Sequence, residues 1–94
     1  MSKTYNVSLI SDSTGETLDR IFVSLKAQFG QIKYDVKQFS FTRTENQISK
    51  IIEKYKKKKN PIILFTIVDI ELSNYLKKKC SDEKIPCYGA LEEL

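Results

Sequence analysis

A chain of 94 residues, 40% hydrophobic and 30% charged, has the composition of one small folded domain, 1–94, and excludes an intrinsically disordered segment. Its formal net charge of +4 gives only weak support to a polyanionic partner. The longest apolar run, Ile62 to Val68, is broken by Thr66 and falls far short of the ~20 residues that a membrane-spanning helix needs.

Residues 5–10 predict a first strand with Tyr5, Val7 and Leu9 on one face. A polar loop, Ser11 to Gly15, leads into a helix over about 15–29, because Leu18, Ile21, Phe22, Leu25 and Phe29 recur at helical spacing. Ser13 and Glu16 fit a capping box at its start, and Gly30 suits its end. Tyr34, Val36 and Gln38 alternate with charged residues, as in a half-exposed edge strand. Phe39 and Phe41 break that parity, so a bulge or an end is expected near Gln38. Thr44 and Gln47 predict a second capping box, followed by Ile48, Ile51, Ile52 and Tyr55 on one helix face, with Asn60-Pro61 as the stop. Ile62 to Val68 reads as a central strand covered on both faces. Asp69 is placed to cap a third helix bearing Leu72, Tyr75, Leu76 and Cys80, and Ile85 to Tyr88 predicts a short fourth strand.

Strands alternating with helices imply an open parallel α/β sheet of Rossmann-like, doubly wound type, with helices on both faces and the expected order 2-1-3-4. Such a sheet usually continues past a fourth strand, so a truncated domain is expected. Its cut edge, 85–88, would then pair weakly with another copy or leave the domain short of stability.

Ligands of open α/β sheets bind beyond the carboxyl ends of the strands, at the switch point. The loop Ser11, Asp12, Ser13, Thr14, Gly15 with Thr17 brings hydroxyls, a glycine and a helix N-terminus to that place, which suits an anion such as phosphate. It matches neither G-x-G-x-x-G nor G-x-x-x-x-G-K-[ST], and Asp12 and Glu16 oppose an anion. The competing reading is a cap and a tight turn only. Arg43 could clamp a phosphate or carboxylate beside Thr44, or be a solvated side chain next to a cap. Asp69 is a candidate catalytic proton acceptor or Mg²⁺ ligand, and equally an N-cap. The lysines 54 and 56–59, with 77–79, lie at helix ends without interleaved aromatics, so no nucleic-acid partner is expected. With no histidine, Ser-His and Cys-His catalysis is excluded and no metal site is expected. Cys80 and Cys87 are expected to stay reduced in a cytoplasmic chain with no leader and no membrane association.

Leu9 to Thr17 with its Ser-Asp-Ser-Thr-Gly-Glu-Thr string resembles the N-terminal half of the regulatory proteins of pyruvate, phosphate dikinase and phosphoenolpyruvate synthase. Ala27-Gln28-Phe29, Arg43-Thr44-Glu45, Leu64 to Asp69 with Glu71-Leu72, and Ile85-Pro86-Cys87 support the resemblance in the same order. It implies part of a bifunctional serine/threonine kinase and phosphorylase, with ADP and inorganic phosphate as co-substrates. The implied partner is the dikinase or the synthase, whose threonine is phosphorylated and dephosphorylated. The family's nucleotide-binding P-loop belongs to its C-terminal half and has no counterpart in this sequence, which implies that these 94 residues alone are inactive. A homodimer stays open.

Overall fold

A computed structural model describes residues 3–29 and 32–90. The elements run β1 (Thr4–Ser11), α1 (Glu16–Phe29), β2 (Lys33–Phe39), α2 (Glu45–Tyr55), β3 (Pro61–Thr66), α3 (Ile70–Asp82) and β4 (Cys87–Gly89). All pairings are parallel, and the four-stranded sheet has the order β2-β1-β3-β4 expected from the alternation of strands and helices. The order reverses between β1 and β3, so the loops that follow these two strands open side by side.

Two apolar layers cover the sheet, and strand parity sorts residues between them. Val7 and Leu9 of β1 pack with Leu18 and Phe22 of α1, with Tyr5, Tyr34, Ile62 and Leu64 around them. Ile10 points the other way, into a larger layer built from Ile63, Phe65, Ile48, Ile51, Ile52, Tyr55, Leu72, Leu76 and Cys80. Edge-to-face ring contacts at 5.4 Å (Phe22 and Tyr34) and 6.1 Å (Phe39 and Tyr55) tie the outer strand β2 to both layers. On the second face a 2.7 Å hydrogen bond between the Ser49 and Tyr75 hydroxyls joins α2 to α3.

Several local expectations are corrected. Of the bulge or end expected near Gln38 the structure shows the end: β2 stays in register with β1 as far as the Ile10–Phe39 pair and stops there, with Phe39 facing the α2 layer. Helix α2 ends at Tyr55, before Asn60-Pro61, and a turn carries the lysines to β3. The apolar run starting at Ile62 outlasts its strand, since β3 ends at Thr66 and Val68 is 75% exposed. The apolar face of α1 is also shorter than expected, because Leu25 is exposed while Leu18 and Phe22 are buried. The fourth strand begins at Cys87, after Pro86. The Phe29 side chain and the cap expected at Gly30 lie outside the described residues.

Cys80 and Cys87 are not joined in a disulfide. A hydrogen bond to Cys87, together with burial, holds Cys80 in its protonated form and pushes its pKa up. Burial, then the Asp35 carboxylate, likewise raises Tyr55. In the unfolded chain these groups ionise near their ordinary values of 9.0 and 10.0. Their contribution to stability is therefore whole below those values and is lost as pH climbs through and beyond them. Urea melts followed by circular dichroism are expected to hold their midpoint from neutral pH to about 8.5 and to fall steadily above it. Tyr55→Phe should fall less steeply than the unsubstituted chain above pH about 10.

Candidate functional site

The site is built where β1 stops. Ser11 and Asp12 are the last residues held by both neighbouring strands. Thr42 N–H donates to the Ser11 carbonyl at 2.8 Å from the β2 side, and Asp12 N–H donates to the Thr66 carbonyl at 3.2 Å on the β3 side. The buried Thr66 hydroxyl donates to Ser11 Oγ at 3.3 Å, and Ser11 Oγ also accepts from Ser13 N–H at 3.1 Å. Asp12 then reaches across the switch point, its Oδ2 accepting from Val68 N–H at 2.9 Å.

The β2–α2 loop closes over this turn. Phe41 N–H donates to the Ser13 carbonyl at 2.9 Å, the Ser40 hydroxyl to the Thr14 carbonyl at 2.8 Å, and Gln38 Nε2 to the Gly15 carbonyl at 3.0 Å. Arg43 Nε donates to the Asp12 carbonyl at 2.9 Å, and its guanidinium lies 5.2 Å from the centre of the Phe41 ring. Phe41 adopts φ 55°, a left-handed conformation unusual for a bulky residue. Its N–H and its carbonyl, which accepts from Gln47 Nε2 at 3.2 Å, hold it there.

Gly15 is the first residue to offer its carbonyl to the helix, accepting from Asp19 N–H at 2.9 Å. This corrects the Ser13–Glu16 capping box: the Ser13 hydroxyl sits 3.2 Å from Ser11 Oγ instead of turning to the helix. The other two helices are capped as their sequences predict. Thr44 and Gln47 form the reciprocal box on α2, and Asp69 Oδ1 accepts from Leu72 N–H at 3.0 Å on α3. Among the described residues α1 alone has no side-chain cap, so the amides of Glu16, Thr17 and Leu18 face the loop without an intrahelical acceptor.

Most of the sequence-predicted candidates therefore converge, but unequally. Ser11, Asp12, Thr44 and Asp69 each commit side-chain atoms to scaffold hydrogen bonds. Thr14 and Thr17 are exposed beside the uncapped helix end, and Arg43 approaches from the neighbouring loop with its Nη groups unpartnered among the described residues. Among the described residues Asp12 and Asp69 each keep one carboxylate oxygen without a donor. Sequence reasoning passed over Gln38, Ser40 and Thr66, which secure the loop. The available signal was a run of polar residues at strand ends that face the switch point.

Gly15 is required here twice over. Its φ is +86°, and a Cβ would run into the Gln38 carboxamide that holds its carbonyl. Gly15→Ala is expected to lower stability by about 1–3 kcal/mol in urea melts, from left-handed strain and the displaced hydrogen bond. In a Gln38→Ala background the same change should cost less, because only the strain remains.

With this geometry in place, comparison with known proteins is informative. Residues 7–94 match the family model described as kinase/pyrophosphorylase. A Pelagibacter ubique protein named as a pyruvate, phosphate dikinase regulatory protein is 60% identical over 94 residues, covering 100% of this chain and 34% of the relative. Proteins of the same name from Ehrlichia chaffeensis and Agrobacterium fabrum are 37% and 33% identical, over 99% and 96% of this chain and 34% and 33% of their own lengths. The chain thus spans about a third of the length of the curated relatives it matches. From within β1 to residue 94 its sequence follows one family model, and the chain belongs to the kinase/pyrophosphorylase family.

Proposed function

We propose that this chain is the N-terminal portion of a bifunctional serine/threonine kinase and phosphorylase that regulates pyruvate, phosphate dikinase or phosphoenolpyruvate synthase in the cytoplasm. In this reading the whole protein uses ADP to phosphorylate a threonine of its target. It uses inorganic phosphate to remove that phosphoryl group, releasing pyrophosphate. The observation that carries the proposal is the match of residues 7–94 to the kinase/pyrophosphorylase family, supported by relatives named for the dikinase.

Within this reading the Ser11–Thr17 loop receives a phosphate group. The uncapped amides at the start of α1 and the hydroxyls of Ser13, Thr14 and Thr17 supply donors, and the Arg43 guanidinium supplies the positive charge that Asp12 and Glu16 would otherwise outweigh. Asp69 remains the candidate for accepting a proton, through the carboxylate oxygen its cap leaves over. A second reading, a non-catalytic anion-binding or interaction module, is favoured by one observation: Ser11, Asp12, Thr44 and Asp69 all serve the scaffold.

Two measurements separate these readings. Phosphate titration followed by backbone amide shifts is expected to move Ser13 to Leu18 and Arg43 first. Arg43→Lys should weaken that binding roughly three- to tenfold, because a point charge replaces the planar fork. Shifts confined to the lysines 54 and 56–59 would count against the loop. Residues 1–94 alone are expected to transfer no phosphoryl group from ADP to the dikinase or synthase, since no Gly-rich nest with a lysine is present in the sequence. Transfer by the isolated chain would overturn the placement of the nucleotide site outside it.

A further inference from the structure

Cys80 lies in the last turn of α3, and Cys87 is the first residue of β4. The chain between them is reversed in a fixed way. Lys84 takes a left-handed φ of 58°, and its N–H donates to the Ser81 carbonyl at 3.1 Å. Ile85 N–H then donates to the Cys80 carbonyl itself at 2.8 Å, and Ile85 is buried in the layer that holds α2 and α3. Pro86 restricts φ, and its carbonyl accepts from Ile63 N–H at 2.9 Å. Cys87 is thereby set opposite Ile63 of β3, and it packs against the same core layer as Cys80. The two thiols are joined by a hydrogen bond.

A disulfide forms only between side chains already directed at each other at short range, and two thiols in contact on anchored backbone meet that need. The pair is unequal. Cys80 is 1% exposed, whereas Cys87 is half-buried. The hydrogen bond and burial keep the proton on Cys80, and the charge of an ionised Cys87 opposes its loss further. Cys87 is therefore the sulfur that meets a dissolved oxidant first, with Cys80 held within reach.

We propose that Cys80 and Cys87 are a two-cysteine redox pair, in which hydrogen peroxide oxidises Cys87 and Cys80 resolves it into an intramolecular disulfide. The Cys87 thiolate attacks one peroxide oxygen and breaks the O–O bond. Its sulfur becomes a sulfenic acid, and the departing hydroxide takes up the thiol proton as water. Cys80 Sγ then displaces the sulfenic oxygen: an S–S bond forms, the S–O bond breaks, and the Cys80 proton leaves with that oxygen as a second water. Two electrons pass from the sulfurs to the peroxide, and a dithiol reductant returns them. In a reducing compartment such a bond is transient and reports oxidation. It staples β4, which three residue pairs hold to β3, to the far end of the helix that Asp69 caps.

Intact mass spectrometry of the folded chain, treated with hydrogen peroxide and quenched by alkylation, tests this. The expected product is a monomer lighter by about 2 Da, the two thiol hydrogens, with peptide mapping joining Cys80 to Cys87. Cys80→Ser should stop at a Cys87 sulfenic acid that dimedone traps. Cys87→Ser should oxidise at least about tenfold more slowly, because its remaining thiol is buried. Equilibration with glutathione and its disulfide needs no variant. The folded chain should favour the internal disulfide at least about tenfold more than the chain in urea, and the oxidised chain should melt at higher urea. Cysteines this close in sequence also join in an unfolded peptide, so that preference reads the fold itself. An unchanged mass, sulfenic or sulfinic acid accumulating on the unsubstituted chain, disulfides between chains in place of one within it, Cys87→Ser oxidising as fast as the unsubstituted chain, or an equal or weaker preference in the folded chain would overturn the proposal.

Discussion

The architecture of this domain hangs on how β1 ends. A strand buried on both faces has to leave the sheet, turn and start a helix within four residues, Asp12 to Gly15, while its polar groups find partners. It does so by being held from both sides at once: from β2 through Thr42 and Phe41, and from β3 through Thr66 and Val68. The Asp12 side chain spans the gap at the switch point, while its carbonyl takes Arg43 from the opposite direction. Because three separate loops meet in this one network, the position of α1, the entry to α2 and the approach of Arg43 are all set together. The left-handed Phe41 and Gly15 are the backbone adjustments that let the loops fit.

The same topology polarises the charge of the molecule. Parallel strands with right-handed crossovers put every helix N-terminus at the carboxyl edge of the sheet. Glu16, Asp19, Glu45 and Glu71 occupy the first turns, whereas Lys26, Lys54 and Lys79 occupy the last. Each charge complements the dipole of its own helix. The consequence reaches beyond helix stability. The site edge is left rich in carboxylates and poor in cations, so one arginine fixed by hydrogen bonding and stacking matters there more than any of the lysines. The lysine-rich edge lies at the far end of the sheet, away from the loop after β1.

What could be read from the sequence follows from how local each determinant is. The Thr44–Gln47 box and the Asp69 cap are interactions between residues three apart, so their spacing alone discloses them. The sheet order follows from alternating periodicities and the handedness of crossovers. The misread features depend on partners distant in sequence. Ser13 has the spacing of a cap, but its hydroxyl is taken by Ser11, itself fixed by Thr66 fifty-five residues further on. Phe39 seemed to break the pattern of β2 only because a strand with a layer on each face uses both parities. Val68 prolongs an apolar run beyond the point where any neighbouring strand is left to cover it.

That last residue exposes a general tension at this edge of the sheet. Val68 and Ile70, after β3, are 75% and 74% exposed, and Phe41, after β2, is 51% exposed, on either side of a loop whose polar side chains mostly serve the scaffold. The domain core is too small to draw these apolar groups inward, since each lies past the end of its strand. Water therefore meets apolar side chains and backbone amides at the place where the hydrogen-bonding potential of α1 is least satisfied. An arrangement of this kind is preorganised in its backbone and incomplete in its side chains. It fixes the positions of donors firmly, through Gly15, Arg43 and the bonds that hold them, and leaves one oxygen each of Asp12 and Asp69 without a donor among the described residues. A family whose curated members are about three times as long as this chain has ample sequence to supply further groups to such an edge. Rigidity at this edge comes from the convergence of three loops on the end of one buried strand.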